Sequence, residues 1–378
     1  MIYLDNSATT RVCASAVSAM QQCMTEGFFN PSALYAPSMD VEKMMTACRS
    51  LILKEVHAPL DARVVFVSGG TEADNLAIIG GTAALRSGKV LYSAGEHPAV
   101  REACLSLRNV ETEEIPLAHD GRVNMERLAE MLDGDVKLIC VMQVNNETGA
   151  IMPIQEIARL RDQKCPDALL HVDGVQGFMR VPFDMKAWGV DSYALSGHKI
   201  HAPKGIGALV MGSRLRPLPR QIGGGQEKAL RSGTENTPGI AGLKAAIECY
   251  PRDNQMRAVK LALYHQVMSL VPEASVNGPM PDSEFAAPHI INLSLTPVRS
   301  ETMLHALEGD QIYVGIGSAC SSQKQKVSRV LTQMGITGRV AESALRFSLC
   351  PDNTEDEMAV VAQKIKQYYD MLKKYTRR

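Results

Sequence analysis

Lys137-Leu138-Ile139-Cys140-Val141-Met142, then a segment over Ile154–Lys164, then Leu169-Leu170-His171-Val172-Asp173 set the architecture of this chain. The outer two are apolar runs of strand length, and the middle one repeats its apolar residues at helical spacing. Strand, helix and strand in that order make a βαβ unit, and runs this apolar belong in a parallel sheet covered on both faces.

The alternation continues outward in both directions. Upstream, residues 33–57 read as a helix, 63–67 as a short β-branched strand, 72–85 as a helix and 89–92 as a strand. A helix over 98–107, a strand over 110–115 and a helix over 125–132 follow, and downstream a strand over 191–195. After a helix ending near Cys249-Tyr250-Pro251 the pattern changes to a helix over 255–270, a Pro- and Gly-rich loop and a strand over 290–295. The reading is an α/β protein with a large domain over 12–253 and a smaller α/β domain built from 1–11 and 254–378. No internal repeat or low-complexity segment interrupts it.

Composition narrows the function classes. The 378 residues are 45% hydrophobic and 21% charged, enough for a full core, and the formal net charge is −1. That balance lacks the basic footprint of a direct nucleic-acid or membrane-surface partner. The start of the chain, Met1-Ile2-Tyr3-Leu4-Asp5-Asn6, does not read as a secretory signal, and no apolar run reaches membrane-spanning length. Nine scattered cysteines, none in a CxxC pair, argue against a disulfide framework or a zinc site. A cytoplasmic protein with reduced thiols and no metal is expected.

In open α/β sheets the ligand lies beyond the carboxyl ends of the strands. Here Ser68-Gly69-Gly70-Thr71, Glu96-His97, Asn145-Asn146-Glu147, Asp173 and Ser196-Gly197-His198-Lys199 all follow strand candidates. A lysine in an enclosed polar site can form a Schiff base with an aldehyde cofactor, of which pyridoxal phosphate is the common one. By itself Lys199 reads more readily as a surface residue after a strand. Asp173, twenty-six positions earlier and at another strand end, is the carboxylate that would keep a pyridine nitrogen protonated, although an aspartate there also suits a helix N-cap. Gly70 and Thr71 open a helix after a strand, where free amides face an anion such as a phosphate; the same residues also make a plain Gly-rich turn. His97 could stack on the cofactor ring and move protons near neutral pH. His57, His119 and His305 have no comparable setting.

Tyr3-Leu4-Asp5-Asn6-Ser7-Ala8-Thr9-Thr10, Ser68-Gly69-Gly70-Thr71-Glu72-Ala73-Asp74-Asn75, Val144-Asn145-Asn146-Glu147-Thr148-Gly149, His171-Val172-Asp173, Ser196-Gly197-His198-Lys199, Arg231-Ser232-Gly233-Thr234 and Gly317-Ser318-Ala319-Cys320 closely resemble the cysteine desulfurases in content, order and spacing. The likeness spans nearly the whole chain. It implies the fold of the pyridoxal-phosphate class-V aminotransferases (fold type I), with a mainly parallel seven-stranded sheet in the large domain, working as a homodimer. It assigns Lys199 to the Schiff base, Asp173 to the pyridine nitrogen, Gln176 to the ring hydroxyl and His97 to the ring face. Gly70, Thr71, Ser196 and His198 would hold the phosphate, joined by Thr234 from the partner subunit. Asn146, beside the cofactor, and Arg346 would bind the substrate carboxylate, for which a guanidinium fork is suited.

The same resemblance makes Cys320 the residue that takes sulfur from L-cysteine as a persulfide, leaving alanine, and passes it to an acceptor protein. That acceptor would be an iron-sulfur scaffold or an enzyme of tRNA or cofactor thiolation. The other eight cysteines are read as packing residues. Two departures stand out: Cys350-Pro351 follows the arginine motif where glycine or serine is frequent, and Gly315-Ile316 replaces serines often found before the cysteine loop. Asn6 occupies a variable position. Competing readings are a selenocysteine lyase or a transaminase of the same fold, a non-catalytic scaffold that binds the cofactor and docks sulfur-transfer proteins, and a pyridoxal-dependent regulator, for which no DNA-binding module is evident.

Overall fold

The computed structural model describes residues 1–252, 255–317 and 327–375. In chain order its strands are β1 (Ile2–Leu4), β2 (Arg63–Val67), β3 (Lys89–Ser93), β4 (Glu111–Ile115), β5 (Val136–Met142), β6 (Leu169–Asp173), β7 (Ser192–Ser196), β8 (Gly207–Met211), β9 (Ser275–Val276), β10 (Ile290–Ser294), β11 (Ile312–Val314) and β12 (Ala344–Ser348). Strands β2 to β8 form one seven-stranded sheet in the order β2-β8-β7-β6-β5-β3-β4. Every neighbouring pair is parallel except the two made by β8, which runs antiparallel to β2 and to β7. β2 therefore points the same way as β3, β4, β5, β6 and β7, and their six carboxyl ends share one edge. The expected α/β architecture with a mainly parallel seven-stranded sheet is the observed one; β8, the short run Gly207-Ala208-Leu209-Val210-Met211, was not among the sequence-predicted strands.

Both faces of this sheet are covered, which explains its largely apolar inner strands; only the edge strand β4, Glu111-Thr112-Glu113-Glu114-Ile115, is polar. Val64 and Phe66 of β2 pack into a cluster with Val41, Met45 and Cys48 of the helix Ala36–Glu55 and with Ile240, Leu243 and Ile247 of the helix Thr237–Cys249. Val65 and Val67 point the opposite way, against Ala73, Leu76 and Ala77. This is the period-two alternation of a strand, with apolar residues on both faces.

A second core gathers Leu4 with residues from Val259 to Tyr369. It lies around the antiparallel sheet β12-β10-β9 and the parallel pair β1-β11, with the helices Met256–Leu270, Ser300–Gly309 and Glu355–Leu372 packed on them. The last helix starts sharply: Thr354 and Glu357 cap it reciprocally, and Glu355, Asp356 and Glu357 place negative charge at the positive end of its dipole. The separation of the two cores supports 12–253 as one domain and 1–11 with 254–378 as the other, which we propose as the division; the junction at Asp253 and Asn254 lies outside the described residues.

The helix expected over 72–85 differs. It starts at Gly70, runs as an α-helix only to Asn75, and continues as a π-type turn over Leu76–Gly80. A side chain at Gly80 would put its Cβ 2.6 Å from the Leu218 carbonyl. The backbone thus lies directly on the 218 segment, and such wide turns recur beside functional sites. Among the described residues, no helix is long and apolar enough to cross a membrane.

Candidate active site

The six aligned carboxyl ends bring the chemistry together. A cavity of about 250 Å³ is lined by Gly70 and Thr71 beyond β2, His97 beyond β3, Asn146 beyond β5, Asp173 and Gln176 beyond β6, and Ser196, His198 and Lys199 beyond β7. Arg346, from β12 of the smaller sheet, closes it together with Ser7 and Ala8. Thr234 is not in this wall and is exposed on the surface of the single chain; Cys320 lies outside the described residues.

The turn that presents Asp173 depends on two glycines. A Cβ on Gly174 would fall 1.9 Å from Cζ of Tyr193, and one on Gly177 would fall 2.0 Å from Oε1 of Gln143. Tyr193 and Gln143 fill that space and bond to each other, the tyrosine hydroxyl donating to Gln143 Oε1 at 2.7 Å. The backbone N–H of Val175 donates to Asp173 Oδ1 at 2.9 Å, so the carboxylate closes an Asx-type turn and caps no helix. Burial, reinforced by the nearby Asp74 carboxyl, pushes Asp173 up to about 7.

Lys199 ends a single 3₁₀ turn, Gly197–Lys199, that leaves β7. Its Nζ donates to the carbonyls of Ser7 and, at 2.8 Å, Ala8. Burial first, then the cations Arg346 and Arg180, lower its ammonium from 10.5 to about 8. A lysine so placed supplies a neutral amine far more readily than one in water.

His97 caps the helix Pro98–Leu105, and its Nδ1 accepts from the Ala99 N–H at 3.1 Å. The proton of the neutral ring therefore sits on Nε2. Burial, with Lys199 beside it, lowers its pKa to about 4. This differs from the expected proton exchange near neutral pH: a second proton would need Nδ1, which the cap occupies. His198 is also held neutral by burial and by Lys199, near 4, with Nδ1 3.1 Å from Thr9 Oγ1.

Arg346 is 2% exposed. Its Nη1 donates to the Asn146 carbonyl at 2.9 Å and its Nη2 to Asp5 Oδ1 at 2.7 Å, while Nε has no partner. Gly315, opposite Arg346 in an antiparallel bridge, explains one departure noted in the sequence. A Cβ there would lie 2.6 Å from Asp5 Oδ1 and 2.8 Å from Arg346 Nη2. The absence of a side chain makes room for the Asp5–Arg346 pair.

Three contributions went unread in the sequence. Asp74, 1% exposed, lines the cavity with Oδ2 unpartnered, while Oδ1 meets His171 Nε2 at 3.1 Å. Burial raises Asp74 and lowers His171, so this pair carries no net charge. Arg180 bonds the Lys199 carbonyl and lies 3.3 Å from Gln176 Oε1. The Ser7 and Ala8 carbonyls carry no side-chain signal at all; Arg180 could have been found from its spacing of four after Gln176. The packing assignment also needs correction for three cysteines: Cys249 is exposed, and Cys13 and Cys350 are only half-buried.

These residues fit pyridoxal phosphate. Hydroxyl and amide donors suited to a phosphate (Thr71, Ser196, the Gly70 backbone), a carboxylate suited to a pyridinium (Asp173) and an amine of lowered basicity (Lys199) line one cavity. Buried Arg346 Nε and Asp74 Oδ2 remain open to further partners.

Comparison with known proteins gives a consistent picture. The family profile of aminotransferase class-V matches residues 2–361. A cysteine desulfurase NifS of Azotobacter vinelandii is 36% identical over 374 residues, covering 96% of this chain and 91% of that protein. Among solved structures, a NifS-like protein superposes with a TM-score of 0.88 at 30% identity, covering 98% of this chain and all of the other. SspA in complex with cysteine superposes at 0.81 with 28% identity, covering 94% of this chain and 100% of the other.

Proposed function

Because the chain belongs to the aminotransferase class-V family, and within it to the pyridoxal-phosphate-dependent cysteine desulfurases, we propose that it converts L-cysteine to L-alanine with the sulfur captured as a persulfide on Cys320. The observation that carries this reading is the meeting of Lys199, Asp173 and Arg346 in one buried cavity. Its further steps are delivery of the sulfur to an acceptor protein, for iron-sulfur assembly or for thiolation of tRNA or a cofactor, in a cytoplasmic homodimer to which Thr234 contributes across the interface.

Bound among these residues, pyridoxal phosphate supplies an electron sink for the pair released at the substrate's α-carbon. Gly70, Thr71, Ser196 and His198 would hold its phosphate, Gln176 its ring hydroxyl, and Asp173 the proton on its ring nitrogen. His97, fixed by its cap, would lie against the ring face and offer Nε2–H as a donor. Lys199 is the group that moves the α-proton, since its amine is partly neutral near pH 8. Arg346, with Asn146 beside it, orients the substrate carboxylate; the open Nε and the replaceable Asp5 contact provide the donors. Cys320 as thiolate attacks the substrate sulfur.

The direct test is to incubate the holoenzyme with L-cysteine and a reductant and to quantify alanine and sulfide. Equal amounts of both are expected. Pyruvate or free ammonia in place of alanine, or alanine only when a keto acid is supplied, would overturn the desulfurase reading.

The space at Gly315 gives a separate expectation. Gly315→Val must displace either Asp5 or Arg346, so KM for L-cysteine rises by about ten- to a hundredfold, the worth of one charge-assisted carboxylate contact, with a smaller change in kcat. Steady-state kinetics check it, and an unchanged KM would mean that the Asp5–Arg346 arrangement is not needed for carboxylate binding.

A further inference from the structure

Cys13 and Cys249 are far apart in the chain, yet their Sγ atoms lie 3.4 Å apart. We propose that they form a redox-active dithiol that closes into a disulfide when it meets a low-molecular-weight disulfide, cystine. Cys13 is the residue before the helix Ala14–Thr25, and Cys249 ends the helix Thr237–Cys249 packed beside it. A disulfide has an S–S length of about 2.05 Å, so closure needs a combined movement of only about 1.4 Å. Neither thiol is locked away: Cys249 is exposed and Cys13 half-buried. Among the described residues, a second neighbouring pair, Cys104 and Cys140, is fully buried in the core.

The surroundings favour cystine over a peroxide as the oxidant. The pair opens into a surface groove of about 640 Å³ whose wall includes Arg11 and Asp352. Cystine carries an ammonium and a carboxylate at each end, and this groove presents one group of each opposite sign. Burial raises the Cys13 thiol, which leaves exposed Cys249 as the first to react. As a thiolate, Cys249 attacks one sulfur of cystine; the cystine S–S bond breaks, a mixed disulfide forms, and one cysteine leaves and takes up a proton. Cys13, having lost its own proton, then attacks Sγ of Cys249 and expels the second cysteine, which is protonated in turn. Two protein thiols are oxidised by two electrons, and one cystine is reduced to two cysteines.

The bond would fasten a segment that matters to the site. From Cys13 backward, the N–H of Cys13 donates to the His201 carbonyl at 2.9 Å and that of Thr10 to the His198 carbonyl at 2.9 Å, and Ser7 and Ala8 hold Lys199.

The experiment exposes the holoenzyme, freed of reductant, to cystine and maps its tryptic peptides without reduction. Expected is a species joining the peptide that starts at Val12 to the one that ends at Arg252, lighter by two hydrogens than the sum of the two. Closing so long a loop should also raise the melting temperature by roughly 3–6 °C, reversibly with dithiothreitol and not in Cys249→Ser or Cys13→Ser. Peptide mapping separates this event from reaction at Cys320, and neither variant touches the cavity. If both thiols remain open to alkylation after cystine, or if the reaction stops at a mixed disulfide on Cys249, the proposal is wrong.

Discussion

Lys199→Ala is expected to lower alanine formation from L-cysteine by about a thousandfold or more and to abolish the visible absorbance of the bound cofactor. The amine has two tasks in the proposed mechanism, linkage to the cofactor and movement of the α-proton, and a positioned general base alone is worth roughly 10²–10⁴. Lys199→Arg should fail equally, because a guanidinium does not give up its proton. The lowered basicity adds a pH expectation. With its pKa near 8 instead of 10.5, the side chain is neutral in about one molecule in ten at pH 7, against roughly three in ten thousand for an ordinary lysine. Since only the neutral amine is a nucleophile, cofactor uptake by the apoprotein should quicken as pH rises from 6 and level off above about 8. Stopped-flow absorbance measures this; a rate still climbing tenfold per unit at pH 9 would mean that Lys199 keeps its solution basicity.

The second large effect is expected from Cys320→Ser. Sulfide release should fall by at least about a hundredfold, with the cofactor absorbance and L-cysteine binding unchanged, because a hydroxyl is a far poorer nucleophile toward sulfur than a thiolate at neutral pH. Alanine must fall with it, since the carbon–sulfur bond breaks only as the thiolate takes the sulfur. Retained alanine formation would assign the chemistry to a lyase or a transaminase.

Much of the large sheet was legible because β2, β3, β5, β6 and β7 are short and largely apolar, and because unusual polar residues follow them. β6 and the turn after it are the clearest instance: Asp173 could be singled out by type and place. β8 was not read, since a five-residue apolar run between two glycine-containing turns has no period of its own. The break after Asn75 was not read either, because the contact that accompanies it, Gly80 against the Leu218 carbonyl, is made by residues far apart in the sequence. The same limit hid Asp74, whose partner His171 is supplied by another strand, and the nearness of Cys13 to Cys249. Gly315 was noticed as an oddity, but its reason, the space it leaves for Asp5 and Arg346, exists only in three dimensions.

The earliest residues of the chain have their partners late. Asn6 bonds the carbonyl of Ser348, Asp5 pairs with Arg346, β1 lies beside β11, and Ser7 and Ala8 hold Lys199. A ribosome that has delivered the large sheet has therefore not yet delivered what its opening strand must bind. That strand has to wait, unpaired, until some three hundred further residues emerge. A nascent fragment that stops short of Arg346 cannot close the pocket, so such a truncated product carries an open cofactor site.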